Sequence, residues 1–215
     1  MTVSKNWQIM PKELFAMGPI VPVLVINKVE DALPIAEALL AADVRVLEVT
    51  LRTPAALDVI SIIAKELPEA IIGSGTVTNR LQLQQSVDAG AKFAISPGLT
   101  KDLLQAGNEG NIALIPGISS ISELMDASDF GYDHLKFFPA EASGGVNAIK
   151  SIGGPFPDIK FCPTGGINLN NVRDYLALSN VACCGGSWLV PNNVVESKSW
   201  SEITKLANEA RAFVK

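Results

Sequence analysis

The 215 residues carry 17 Lys and Arg against 22 Asp and Glu, a formal net charge of −5, with 48% hydrophobic and 18% charged residues. That length and composition suit one well-cored domain rather than a disordered chain, and an acidic balance without a run of basic residues argues against a nucleic-acid partner. No stretch reaches the roughly 18 uninterrupted apolar residues of a spanning helix, and the start, Met1 to Trp7, has no apolar signal core, so the expectation is a cytoplasmic protein with no membrane partner.

From the N-terminus, a lead helix is expected over 5–17. Short apolar, β-branched runs follow at 21–26, 44–51, 70–77, 93–96, 112–116, 134–138, 159–162 and 181–184, and read as strands. Amphipathic stretches of helical period come between and after them, as at 30–42, 54–67, 79–89, 169–178 and 201–213. Eight such units in series, with no break in composition, predict an α/β fold, a single (β/α)8 (TIM) barrel spanning 1–215 with an extra N-terminal helix. The unbroken apolar character of the strands fits a parallel sheet buried on both faces. Pro97, Pro116, Pro139 and Pro163 are expected to close four strands at their carboxyl ends, the face where barrel active sites lie. The usual length for this fold is ~250 residues, so little chain remains for lids and the substrate should be small.

In the second predicted strand a period of two places Glu48, Thr50 and Arg52 on one face. This is either a structural ion pair inside the barrel or a functional pair. A buried carboxylate can shuttle protons, and a guanidinium fork grips a substrate carboxylate at two points. Thr76 and Thr164 can hydrogen-bond a substrate carboxylate or hydroxyl, and Gly73, Gly75, Gly144 and Gly145 suggest close backbone approaches around the same mouth. Lys136 sits in the apolar run His134-Leu135-Lys136-Phe137-Phe138-Pro139. There the ammonium loses hydration, and the neutral amine becomes available as a nucleophile toward carbonyls. The plainer alternative is an edge-strand lysine whose head reaches water. Gly165-Gly166 after the seventh strand, and Gly185-Gly186 with Ser187 after the eighth, occupy the two loops that commonly hold phosphate in barrels.

Other chemistries are disfavoured. The only histidine, His134, cannot supply a multi-histidine metal site or a Ser-His-Asp triad, so no metal is expected. No GxGxxG or Walker A sequence is present to hold a nucleotide, and no cofactor is expected. Cys162, Cys183 and Cys184 read as small buried hydrophobes in a reducing compartment.

The stretches Arg45 to Thr53 (RVLEVTLRT), Gly75-Thr76-Val77, Phe93 to Gly98 (FAISPG), Ile115-Pro116-Gly117, Lys136-Phe137-Phe138-Pro139-Ala140-Glu141, Pro163 to Ile167 (PTGGI) and Gly185 to Trp188 (GGSW) together closely resemble the KDPG/KHG aldolase family over nearly the whole chain. The resemblance implies a class I aldolase that cleaves 2-dehydro-3-deoxy-6-phosphogluconate to pyruvate and glyceraldehyde 3-phosphate. A second activity, splitting 4-hydroxy-2-oxoglutarate into pyruvate and glyoxylate, is implied with it. By matching motif, Lys136 would form the Schiff base and Glu48 would be the general acid and base. Arg52, Thr76 and Thr164 would surround the pyruvyl end, Pro97 and Phe138 would shape the wall, and Gly165, Gly166 and Ser187 would hold the phosphate. A homotrimer is implied as well. The alternatives are an aldolase for the galactonate epimer of the same substrate and, more remotely, a non-catalytic sugar-phosphate-binding barrel.

Overall fold

In a computed structural model of the protein, residues 5–212 are described. The apolar runs form short parallel strands because both their faces are covered. They are β1 (Ile20–Leu24), β2 (Val46–Thr50), β3 (Ile71–Gly75), β4 (Phe93–Ile95), β5 (Ala113–Ile115), β6 (Gly117–Ile118), β7 (His134–Phe137), β8 (Lys160–Pro163) and β9 (Cys184–Gly186). Every pairing is parallel. One sheet has the order β5-β4-β3-β2-β1-β9 and the other β6-β7-β8. The two are tied at both junctions. Only Pro116 separates β5 from β6, and Thr164, next after β8, bridges Gly185 of β9. The result is an α/β fold with a barrel-like parallel sheet.

Ten α-helices among the described residues accompany the strands. They are α1 (Pro11–Ala16), α2 (Ala32–Leu40), α3 (Ala56–Glu66), α4 (Arg80–Asp88), α5 (Lys101–Glu109), α6 (Ile121–Asp129), α7 (Gly145–Ile152), α8 (Val172–Leu176), α9 (Asn192–Glu196) and α10 (Trp200–Ala212). Their starts follow local chemistry. Asn79, Thr100 and Ser120 cap α4, α5 and α6 by accepting a backbone N–H at the third helical position, which satisfies a donor that has no partner inside the helix. Helix α3 lays a stripe of apolar residues, Val59, Ile60 and Ile63, on the sheet.

Several boundaries differ from the sequence expectation. The lead helix expected over 5–17 is shorter, because Pro11 is tolerated at its first turn but cannot continue a helix begun earlier. The stretch 30–42 divides into a 3-10 turn, Val29–Asp31, and α2. Pro116 does not end the fifth strand. Lacking an N–H, it interrupts the ladder for one residue, while its carbonyl accepts from Lys136 N at 2.9 Å and pairing resumes at Gly117. Gly185 and Gly186 lie inside β9 rather than beyond it, opposite Val21 and Pro22 of β1. The final helix ends among the described residues at Ala212, and Phe213 of the expected 201–213 lies outside them, as do Met1 to Ser4 at the start. No described helix is long and apolar enough to cross a membrane.

The sheet is crowded where β3 meets its neighbours. A methyl group at Gly73 would run into the ring of Phe93, which is itself buried. Overpacking of this kind forces side chains off their rotamers. Gly73→Ala is expected to lower unfolding free energy by about 1–3 kcal/mol, read from the midpoint of urea denaturation.

Candidate active site

Strand β7 carries Lys136 opposite Gly117 on one side and Cys162 on the other. Its neighbours Leu135 and Phe137 face the opposite way by the two-residue period of a strand, and Phe137 packs edge-on against Phe161 with centroids 6.2 Å apart. Strand β2 carries Glu48 between Val23 and Gly73. The two side chains meet, with Lys136 Nζ 3.2 Å from Glu48 Oε1. They are 7% and 1% exposed, which makes this the one ion pair among the described residues with both partners buried. Space for the Glu48 carboxylate comes from Gly75, where any side chain would occupy the same volume. Glu48 therefore pairs with Lys136 rather than with Arg52, and Thr50 donates its hydroxyl to the Leu24 carbonyl at 2.8 Å.

Beside this pair lies a cavity of about 370 Å³. Arg52, Phe138, Thr164, Gly165, Gly166 and Ser187 line it, with Val23, Val25 and Val190 among the apolar walls. Phe138 links the two features, because its ring centroid is 5.3 Å from Lys136 Nζ. Arg52 lies just past the end of β2, exposed, with no carboxylate partner among the described residues. Thr164 is held by backbone bonds to Phe137 and Ala140. Gly165 and Gly166 adopt φ of +99° and +81°, a left-handed conformation open to glycine without steric cost. The N–H groups of Gly166 and Ile167, both in the cavity wall, have no acceptor among the described residues. Successive unpartnered N–H groups in such a turn form a concavity suited to an anion.

Four residues named from sequence fall outside the cavity lining: Lys136 and Glu48, which lie beside it, and Pro97 and Thr76. Pro97 lies in a separate depression with Thr78, Gly98, Leu99, Thr100 and Leu103. Its backbone and that of Ser96 press against Gly117, and Ser96 Oγ accepts the Gly117 N–H at 3.3 Å. Thr76 directly follows β3, half-buried, with φ +60°, a left-handed geometry uncommon for a non-glycine residue. Sequence reasoning also left residues unassigned. Glu141, beside Gly166, lay within the quoted Lys-Phe-Phe-Pro-Ala-Glu run without a role, and its partner Tyr175 carries no motif at all. His134 is occupied elsewhere, its Nδ1 2.7 Å from Asp133 Oδ1 and its ring 5.4 Å from that of Phe15. No group of three or more His, Cys, Asp or Glu among the described residues could hold a metal ion.

A family model for KDPG and KHG aldolase matches residues 12–206. The 2-dehydro-3-deoxy-phosphogluconate aldolase of Pseudoalteromonas atlantica is 65% identical over 210 residues, covering 98% of each chain. The KHG/KDPG aldolase of Escherichia coli K12 is 58% identical over 206 residues, 96% of this chain and 97% of that protein. The crystal structure of KDPG aldolase from Legionella pneumophila, with pyruvate captured at low pH as a covalent carbinolamine intermediate, superposes with a TM-score of 0.94 at 51% identity, covering 95% of this chain and all of that one.

The cysteines stand apart from this chemistry. All three are free and buried, and burial pushes the Cys183 and Cys184 thiols well up from the ordinary value. The native protein at pH 8 is expected to give less than one reactive thiol with a disulfide reagent and three after denaturation. Rapid reaction of the native thiols would show that this region opens.

Proposed function

The chain belongs to the KDPG and KHG aldolase family, and from that premise we propose that Lys136 is its Schiff-base lysine and Glu48 the group that moves protons around it. The protein is a class I aldolase that cleaves 2-dehydro-3-deoxy-6-phosphogluconate to pyruvate and glyceraldehyde 3-phosphate, with 4-hydroxy-2-oxoglutarate as a second substrate. The observation that carries the residue roles is the buried 3.2 Å contact between amine and carboxylate beside an open cavity.

The steps follow from that contact. Lys136 passes a proton to Glu48, and the neutral amine adds to the C2 carbonyl. Glu48 returns the proton to the departing hydroxyl, water leaves, and a C2 iminium remains. Glu48 next takes the proton of the C4 hydroxyl. The C3–C4 bond breaks, its electron pair moves toward the iminium to give an enamine, and the aldehyde departs. Protonation at C3 and addition of water at C2 release pyruvate and restore the amine. Arg52 grips the carboxylate of the substrate, and Thr76 and Thr164 border the reacting end. Phe138 walls it, Gly165, Gly166 and Ser187 receive the phosphate, and Pro97 serves the wall only through its backbone.

The parallel array acts as one closed (β/α)8 barrel across the whole chain, preceded by α1, with the protein working in the cytoplasm as a homotrimer. No observation favours the galactonate epimer as substrate, and a barrel that only binds sugar phosphate would keep a costly buried ion pair without use.

Incubation with pyruvate and borohydride should add one reduced pyruvyl group to the peptide containing Lys136. Lys136→Ala should lose both the adduct and turnover, and an adduct elsewhere would remove Lys136 from the chemistry. Glu48→Gln should cut kcat by about 10²- to 10⁴-fold while pyruvate still binds. Unchanged turnover there would assign the proton transfer to another group.

A further inference from the structure

The glycine turn at the cavity wall is held from behind by side chains that do not line the cavity. Asn168 and Asn171 each donate a side-chain N–H to the Gly166 carbonyl, at 3.2 and 3.0 Å. The backbone N–H of Glu141 donates to the Gly165 carbonyl at 3.1 Å. The stem of Glu141 then passes so close to Gly166 that a methyl group there would come within 2.8 Å of Glu141 Cβ. Glu141 itself is fixed by a further residue, because the hydroxyl of Tyr175, on α8 and fully buried, donates to Glu141 Oε1.

That arrangement sets a carboxylate next to a turn whose free N–H groups suit an anion. Left loose, the carboxylate would repel a phosphate and compete for the same donors. Bound to the tyrosine hydroxyl, its charge is shared and its direction fixed. Burial keeps the Tyr175 hydroxyl protonated, so it remains a donor across the working pH range.

We propose that Glu141 and Tyr175 are positioning residues for the phosphate of the substrate: the pair holds Gly165 and Gly166 in their left-handed turn and keeps the Glu141 carboxylate turned away from the incoming anion. This rests on the reading of the glycine turn as the phosphate subsite. It assigns the pair a role in preference for phosphorylated substrate, separate from the Schiff-base chemistry at Lys136.

The two substrates provide the test, because 4-hydroxy-2-oxoglutarate ends in a carboxylate at C5 and has no phosphate. In the full-length protein, Tyr175→Phe and Glu141→Ala are expected to raise KM for 2-dehydro-3-deoxy-6-phosphogluconate about three- to tenfold, the worth of one ordinary hydrogen bond, since the pair acts on the phosphate only through the turn. Inhibition by inorganic phosphate should weaken by the same factor. Both kcat values and KM for 4-hydroxy-2-oxoglutarate should stay within about twofold of the parent, which also reports that each variant is folded. Glu141→Gln keeps an acceptor for the tyrosine hydroxyl and should restore near-parental KM. Equal losses on both substrates, or no change on either, would overturn the positioning role while leaving the phosphate subsite standing. Failure of inorganic phosphate to compete in the parent protein would overturn the phosphate subsite and the inference with it.

Discussion

The fold is organised around one expensive contact, the buried ion pair of Lys136 with Glu48. Removing two charges from water costs several kcal/mol for each, and their attraction recovers this only when geometry is close to ideal. The sheet meets that demand in a specific way. Strands β2 and β7 bring the two side chains together inside the array, at 3.2 Å, and the absence of a side chain at Gly75 opens the volume the carboxylate fills. An apolar pair of similar volume would stabilise the barrel at least as well, so stability alone does not account for this pair. A carbonyl substrate would, because an amine in contact with a carboxylate is the pair of groups that Schiff-base formation and hydrolysis require.

From that centre outward the site changes in kind. At the reacting end the groups are side chains on short strands, whose ladders fix them against their neighbours. At the other end the groups are backbone, the N–H donors of a turn made possible by Gly165 and Gly166. A rigid end suits chemistry that needs sub-ångström alignment, and a turn of bare amides suits a phosphate, which accepts hydrogen bonds from many directions. Arg52 stands past the end of β2, exposed at the cavity wall.

This difference also decides what could be read from the sequence. Lys136 was legible because a charged residue in an apolar strand contradicts its surroundings, and Glu48 because its carboxylate breaks a run of valine, leucine and threonine. The strand count was nearly legible for the same reason. Failures came where backbone rather than side chain made the difference. Pro116 was expected to end a strand, yet a single missing N–H only paused the ladder. Gly185 and Gly186 were expected in a loop, yet they pair within β9, and they are glycine there because the side chain of Thr164 and the ring of Trp188 fill the space that side chains would take. Pro97, expected at the wall of the site, lines a neighbouring depression. Tyr175 was invisible, because a tyrosine on a helix is ordinary until the structure places its hydroxyl on Glu141.

The electrostatics reconcile an acidic protein with an anionic substrate. A net charge of −5 would repel a phosphorylated keto acid if it acted as a whole, but charges on the outer helices are screened beyond about 8 Å at physiological salt. Inside the cavity the balance is local. Beside it Lys136 and Glu48 offset one another, leaving the Arg52 guanidinium, which has no carboxylate partner among the described residues, and free backbone donors as the field that an entering anion meets. The one carboxylate adjoining the glycine turn is tied to a tyrosine hydroxyl. Pairing Lys136 with Glu48 therefore serves two ends at once, since a lone buried ammonium would hold the substrate carboxylate against it as a salt, and a lone carboxylate would keep the substrate out.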